Sequence, residues 1–172
     1  LFPQYHNYRI DGPEGRKIVE ACRERNLPVF IPHRMEDTRE RHWMDPGKVV
    51  DLNGVANLIA AFPDATIVIS NARGIVHTPL WQRAEIRDHS WYVDLSLAEV
   101  HYVLHGDITK MKDLADLVEQ GGANHLLFGT HVPFSYPGAA LVKRAILPVD
   151  EETRKDISYR TAAKILGLEV LV

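Results

Sequence analysis

Cysteine is nearly missing from this sequence: Cys22 stands alone among 172 residues. That excludes an intrachain disulfide and a cysteine metal cluster, and with no signal-like start the expected setting is a reducing cytoplasm. Long apolar runs are lacking too. The longest reach about six residues against the roughly 20 that cross a bilayer, so no membrane span is expected. Positive charge is not in excess: 20 Lys and Arg face 23 Asp and Glu, for a formal net charge of -3, which gives no general grip on nucleic acid or an anionic membrane. Repeats of fixed period and low-complexity segments are absent. So is an initiating Met: the start, LFPQYHNY, reads as a strand already under way, which suggests an N-terminally incomplete chain.

What is present is the balance of an ordinary globular protein, 45% hydrophobic and 25% charged, long enough for one domain over residues 1–172 with a sizeable core. Short apolar or β-branched runs alternate with segments of helical spacing, the mark of repeated βα units and a parallel sheet. The first helix is expected from Asp11, as capping residue, to about Arg25, with Ile18, Ala21 and a buried Cys22 inward and Asn26 closing it. LPVFI, Leu27 to Ile31, then reads as a strand. A polar loop precedes a second helix carrying Val55, Leu58, Ile59 and Phe62 at helical spacing.

ATIVIS, Ala65 to Ser70, is a continuous apolar strand of the kind buried on both faces. WYVDLSL, Trp91 to Leu97, and NHLLFGT are further strands, with a helical pattern from Ile108 to Val118 between them and a stop at Gly121 and Gly122. The tail opens with an acidic turn at Asp150 and runs through Ile157, Thr161, Ala162, Ile165 and Leu166 to a cap at Gly167. Counting LFPQYHNY gives five βα units, too few for a closed eight-stranded barrel and acceptable for an open doubly wound sheet.

In parallel α/β folds the chemistry collects at the carboxyl ends of the strands. Those ends carry Tyr5, His6 and Asn7; Pro32, His33, Arg34, Glu36 and Asp37; Asn71 and Arg73; Asp94 and Ser96; and Thr130 and His131. Asn71, Ser96 and Thr130 suit turn and cap chemistry as well as function. His6, His33 and His131 suit it poorly, and imidazoles there are candidates for binding a divalent metal or transferring protons. His42, His77, His89, His101, His105 and His125 read as surface histidines. Arg34 and Glu36 share a parity on the continuing strand, so they could meet an anionic substrate and a proton over one mouth. NARG, Asn71 to Gly74, offers a second arginine.

Taken in order, LPVFI, LIAAFPDATIVISNARG, WYVDLS, HLLFGTHVPF and EETRKDISYRTAAKILGL resemble the later half of an amidohydrolase-related TIM barrel, the amidohydrolase 2 type of metal-dependent hydrolases and decarboxylases. FGTHVPF, similar to the strand-eight pattern FGSDYP, and ISYRTAAKILGL, similar to the closing helix, are the most specific matches. The resemblance implies a (β/α)8 barrel of which this chain holds strands four to eight. The first-strand His-x-His pair is absent from the sequence, and the missing wall would come from upstream residues or from another chain, a homo-oligomer included.

The same resemblance implies altered ligand positions. The strand-five histidine corresponds to Pro32, with His33 one place later and facing the wrong way unless a bulge turns it back. The strand-six histidine corresponds to Asn71, and the strand-eight aspartate, which takes the proton of the attacking water, to His131. The resulting expectation is a hydrolase of a small carbonyl or carboxylate substrate, with His131 and Glu36 catalytic and Arg34, Arg73 and Asn71 binding substrate. A divalent metal (Zn, Mn or Fe) is an optional cofactor near His6, His33 and His131, with Glu36 and Asp37 as further ligand candidates. The alternatives are a decarboxylase of the same family, a decayed barrel kept as a binding or assembly subunit, and an open α/β domain of another family.

Overall fold

Residues 1–34, 42–70, 78–96, 118–119, 122–133 and 136–170 are described by the computed structural model. Four parallel strands form one sheet in sequence order: β1 (Val29–Pro32), β2 (Ile67–Ser70), β3 (Trp91–Asp94) and β4 (Leu126–Leu127). Val29 pairs with Ile67 and Ile67 with Trp91, while Val93 and Asp94 pair with Leu126 and Leu127. Side chains alternate across a strand, so this register lines Val29, Ile67 and Trp91, then Ile31, Ile69 and Val93, along one face. All six lie in the buried core, packed with Val19, Val55, Leu58 and Ile59 from the helices that follow β-type runs in the sequence. Each such burial contributes about 1.5–3 kcal/mol.

The opposite face carries Phe30, Val68, Tyr92 and Leu127 by the same alternation. Val68 and Leu127 are buried, whereas Phe30 on the edge strand β1 is 47% exposed. Every strand is short and apolar, and each is entered from a helix or turn, as a βα repeat requires.

The start of the chain departs from the sequence expectation. LFPQYHNY contains a one-turn helix, α1 (Pro3–His6), not a strand; Pro3 opens it and Asn7 closes it in left-handed backbone. Proline suits the first helical turn because its missing N–H is unneeded there and its φ is already helical. The Leu1 backbone nitrogen still lies along the β1 edge, 2.5 Å from the Phe30 carbonyl.

The first long helix, α2 (Pro13–Arg23), is capped by Gly12 rather than Asp11. Pro13 again fixes the start, and the Asp11 carboxylate is taken by Arg9 and by the Asn57 side-chain amide at 3.1 Å. The buried stripe is Gly15 and Val19; Ile18 is 39% exposed and Cys22 is half-buried against the core. Gly15 lets α2 lie on the backbone of Ile10, whose carbonyl carbon would be 2.7 Å from an added Cβ. Asn26 does close the segment, at φ +54°.

Helix α3 (Leu52–Ala61) buries Val55, Leu58 and Ile59 as its spacing predicts, and Asp51 caps it by accepting the Asn53 N–H at 3.0 Å. Short α4 (Pro79–Gln82) and a 3-10 turn at Ala84–Ile86 lead to β3. The strand expected over Leu27 to Ile31 is shifted to Val29–Pro32, and WYVDLSL contributes only Trp91–Asp94. After β4 come α5 (Gly138–Ile146), α6 (Glu151–Lys155), a π-helical turn at Asp156–Arg160 and α7 (Thr161–Leu166). Asp150 caps this tail through the Thr153 N–H at 2.7 Å, and Gly167 ends it at φ +65°. The helix expected from Ile108 lies outside the described residues except for Val118. No helix among the described residues is long and apolar enough to cross a membrane.

Candidate functional site at the carboxyl ends of the strands

The carboxyl ends of β1 to β4 stand side by side and bring together Pro32 to Arg34, Ser70, Asp94 to Ser96, and Thr130 with His131. Asp94 ends β3 on the Tyr92 and Leu127 face by alternation. Its Oδ1 accepts the Ser96 N–H at 2.6 Å, which closes a tight turn and fixes the carboxylate. Gly129 passes directly against that carboxylate: a Cβ there would be 2.7 Å from Asp94 Cγ and 2.8 Å from Oδ2. Only a residue without a side chain lets the two strand ends approach this closely. The sequence lists Asp94 among the polar strand ends, but nothing in its own neighbourhood distinguishes it from a turn residue.

His131 follows two residues after Gly129, within about 7 Å along the chain. Its φ is +59°, a left-handed conformation uncommon for a non-glycine residue, and a cis peptide follows at Val132–Pro133. The side chain is half-buried. Thr130 Oγ1 accepts the Val132 N–H at 3.3 Å and holds the turn.

No bulge turns His33. The ladder continues regularly past Pro32, with the His33 N–H donating to the Ser70 carbonyl at 2.8 Å, so His33 keeps the parity of Ile31. Its carbonyl accepts the Val50 N–H at 2.9 Å, and the residue is 7% exposed. Its Nδ1 is buried with no hydrogen-bond partner among the described residues. Burial, and then the neighbouring Arg34 charge, lower its pKa to about 4, so the ring is neutral at pH 7. A neutral imidazole is ligand-competent, but His33 shares the Ile31 side and not the Asp94 side.

His6 ends α1 and is exposed, not at a strand end. It lies beside β1 all the same, because the Gln4 side-chain amide donates to the Pro32 carbonyl at 3.2 Å. A cleft of about 280 Å³ opens next to it, between α1 and the segment from Lys48 to Asp51. Arg34 is half-buried at the end of β1. Glu36, Asp37, Asn71 and Arg73 lie outside the described residues. Among the described residues no three His, Cys, Asp or Glu side chains form a group able to hold a metal ion.

Two histidines read as surface residues are not so. His125 is 7% exposed and stacks on Trp91, and His89 is half-buried with Nδ1 3.2 Å from the Ile59 carbonyl. Aromatic and carbonyl partners supplied by distant segments are invisible to local patterning.

The amidohydrolase family model matches residues 1–168. No curated protein sequence matches the chain. Among solved structures, the fold matches a dihydroxybenzoic acid decarboxylase from a Polaromonas species, with bound manganese and the inhibitor 2-nitroresorcinol, at TM-score 0.63 and 16% identity over 95% of this chain and 56% of that one. It also matches 5-carboxyvanillate decarboxylase from Sphingomonas paucimobilis, at TM-score 0.63 and 14% identity over 94% and 56% of the two chains. A third match is a TIM-barrel protein from Bordetella bronchiseptica, at 0.64 and 17% over 93% and 52%. The chain thus spans a little over half the length of these structures, and its sheet is part of a TIM barrel. With the family model matched over nearly all its residues, and the strand order and polar strand ends in agreement, this chain belongs to the amidohydrolase family.

Proposed function

We propose that this chain forms the later-strand part of a decarboxylase acting on a small aromatic or conjugated carboxylate. The observation that carries the reading is the seating of Asp94 over Gly129 at the mouth of β3 and β4, with His131 two residues on. Decarboxylase neighbours of the same fold support it over hydrolysis, the first reading of the sequence.

The chemistry needs a held carboxylate and a proton for the carbon that bears it. Arg34, and Arg73 by its place in the sequence, supply guanidinium groups for the carboxylate, which a planar fork binds bidentately. His131 carries the proton, since imidazole exchanges protons near neutral pH. When the carbon is protonated, the bond to the carboxylate breaks, its electron pair returns to the conjugated system, and carbon dioxide leaves. Asp94, fixed by the Ser96 N–H, places a carboxylate at the mouth.

The manganese of the Polaromonas enzyme raises the question of a cation here. Asp94 and His131 are two donors at one mouth, His33 has the other parity, and no three-donor group exists among the described residues. The described residues alone do not make up a cation site.

Purified protein given dihydroxybenzoates and 5-carboxyvanillate is expected to release carbon dioxide in proportion to the substrate consumed. Hydrolysis of amides or lactones without carbon dioxide release overturns the reading, and so does turnover of neither class.

A further inference from the structure

His125 sits in the 3-10 turn at Ala123–His125, just before β4, and is almost wholly buried. Its Nδ1 is 2.6 Å from the Trp91 carbonyl and its Nε2 is 2.7 Å from the Arg87 carbonyl. A carbonyl oxygen only accepts, and a neutral imidazole carries one N–H. In the neutral ring one nitrogen would press a lone pair against a carbonyl oxygen at hydrogen-bond distance. The ring with both nitrogens protonated satisfies both contacts.

The surroundings favour that cation. The ring stacks on the Trp91 indole, with centroids 4.2 Å apart and planes 18° from parallel, and an indole face attracts positive charge. Trp91 is itself fixed: its indole N–H donates to the Ile86 carbonyl at 2.8 Å and its ring meets Trp81 edge-on at 5.0 Å. Two ionised hydrogen bonds and the indole offset the desolvation of a buried charge.

We infer that His125 is a buried imidazolium clip, which ties the Arg87 turn to the first residue of β3 and to the entry of β4, and which opens when the ring loses a proton. Arg87 and Asp88 on the turn are exposed. Glu85 is bound to Arg83 at 2.7 Å, and His89 is turned to the Ile59 carbonyl. On β3 the Tyr92 ring lies 6.4 Å away, and from the π-helical turn Asp156, paired with Arg160 at 3.3 Å, lines the same cleft as Tyr92 and Asn124. Neither ring nitrogen is bonded to a carboxylate; both face backbone carbonyls.

Nitrogen-15 NMR of histidine-labelled protein tests this without assuming any activity. At pH 6 both ring nitrogens of His125 are expected to carry slowly exchanging protons. As the pH is raised until one is lost, the amides of residues 87–89 are expected to lose about tenfold in exchange protection after correction for intrinsic rates. In His125→Gln, which keeps one donor and one acceptor, that pH-dependent loss should vanish. A single ring N–H at pH 6, or the same pH-dependent loss in wild type and H125Q, overturns the inference; should H125Q not fold, the wild-type spectrum decides alone.

Discussion

Gly129 and Asp94 are in van der Waals contact across the ends of β4 and β3, so closely that any side chain on Gly129 would occupy the space of the Asp94 carboxylate. The glycine is what permits a fixed carboxylate at the mouth, since Asp94 cannot retreat without giving up its 2.6 Å bond from the Ser96 N–H.

Gly129→Ala is therefore expected to cost about 1–3 kcal/mol, the range for overpacking a close contact, and to displace Asp94. Urea unfolding gives the first, and a change in the Ser96 amide resonance the second. An unchanged midpoint with an unchanged Ser96 amide would show that the approach is not close.

His33 makes stability depend on pH, with a sign that follows from its lowered pKa. The folded state holds it neutral down to about 4, whereas the unfolded chain binds a proton near the ordinary imidazole value of 6.5. Between those values the unfolded state binds more protons, so its contribution is fully present above about 6.5 and is lost as the pH falls toward 4, by up to about 3 kcal/mol. Urea midpoints followed from pH 7.5 to pH 4 are expected to fall, and to fall less in His33→Gln. Parallel curves for the two proteins would remove this role.

Trp91→Phe keeps an aromatic ring in the core but removes the donor to the Ile86 carbonyl and part of the stack under His125. A loss of about 2–4 kcal/mol is expected from the cavity and the unpaired carbonyl together. Equilibrium unfolding measures it, and a loss below about 0.5 kcal/mol, the size of an ordinary surface substitution, would contradict the packing described.

At the mouth, His131→Asn is expected to abolish turnover with little change in melting temperature, because asparagine tolerates the left-handed backbone seen at φ +59°. Arg34→Lys is expected to raise KM with a smaller effect on kcat, since lysine cannot reproduce a bidentate fork. Activity retained in the first, or equal kinetics in the second, assigns those roles elsewhere.

The alternation of apolar runs with helical spacing was enough to predict parallel strands, because a strand buried on both faces must be continuously apolar whatever packs on it. Val55, Leu58 and Ile59 were legible as an inward stripe for the same reason: the helical period depends on the chain alone. The start reads as a strand because Phe2 and Tyr5 look like strand residues, whereas Pro3 opens a helical turn there and Asn7 closes it in left-handed backbone. Strand limits also moved, since a ladder ends where its neighbour ends, and no strand carries that information.

For this protein, then, composition and period determined an α/β chain with its polar residues at strand ends, because burial and backbone geometry act residue by residue. Which of those residues meet was decided only by tertiary structure. Asp94 acquires its place from Gly129, 35 positions away, His125 its double carbonyl contact from Arg87 and Trp91, and His33 its neutral ring from the layer folded over it. Distance in the sequence hides such pairs, and the electrostatics of a site belong to the pairs.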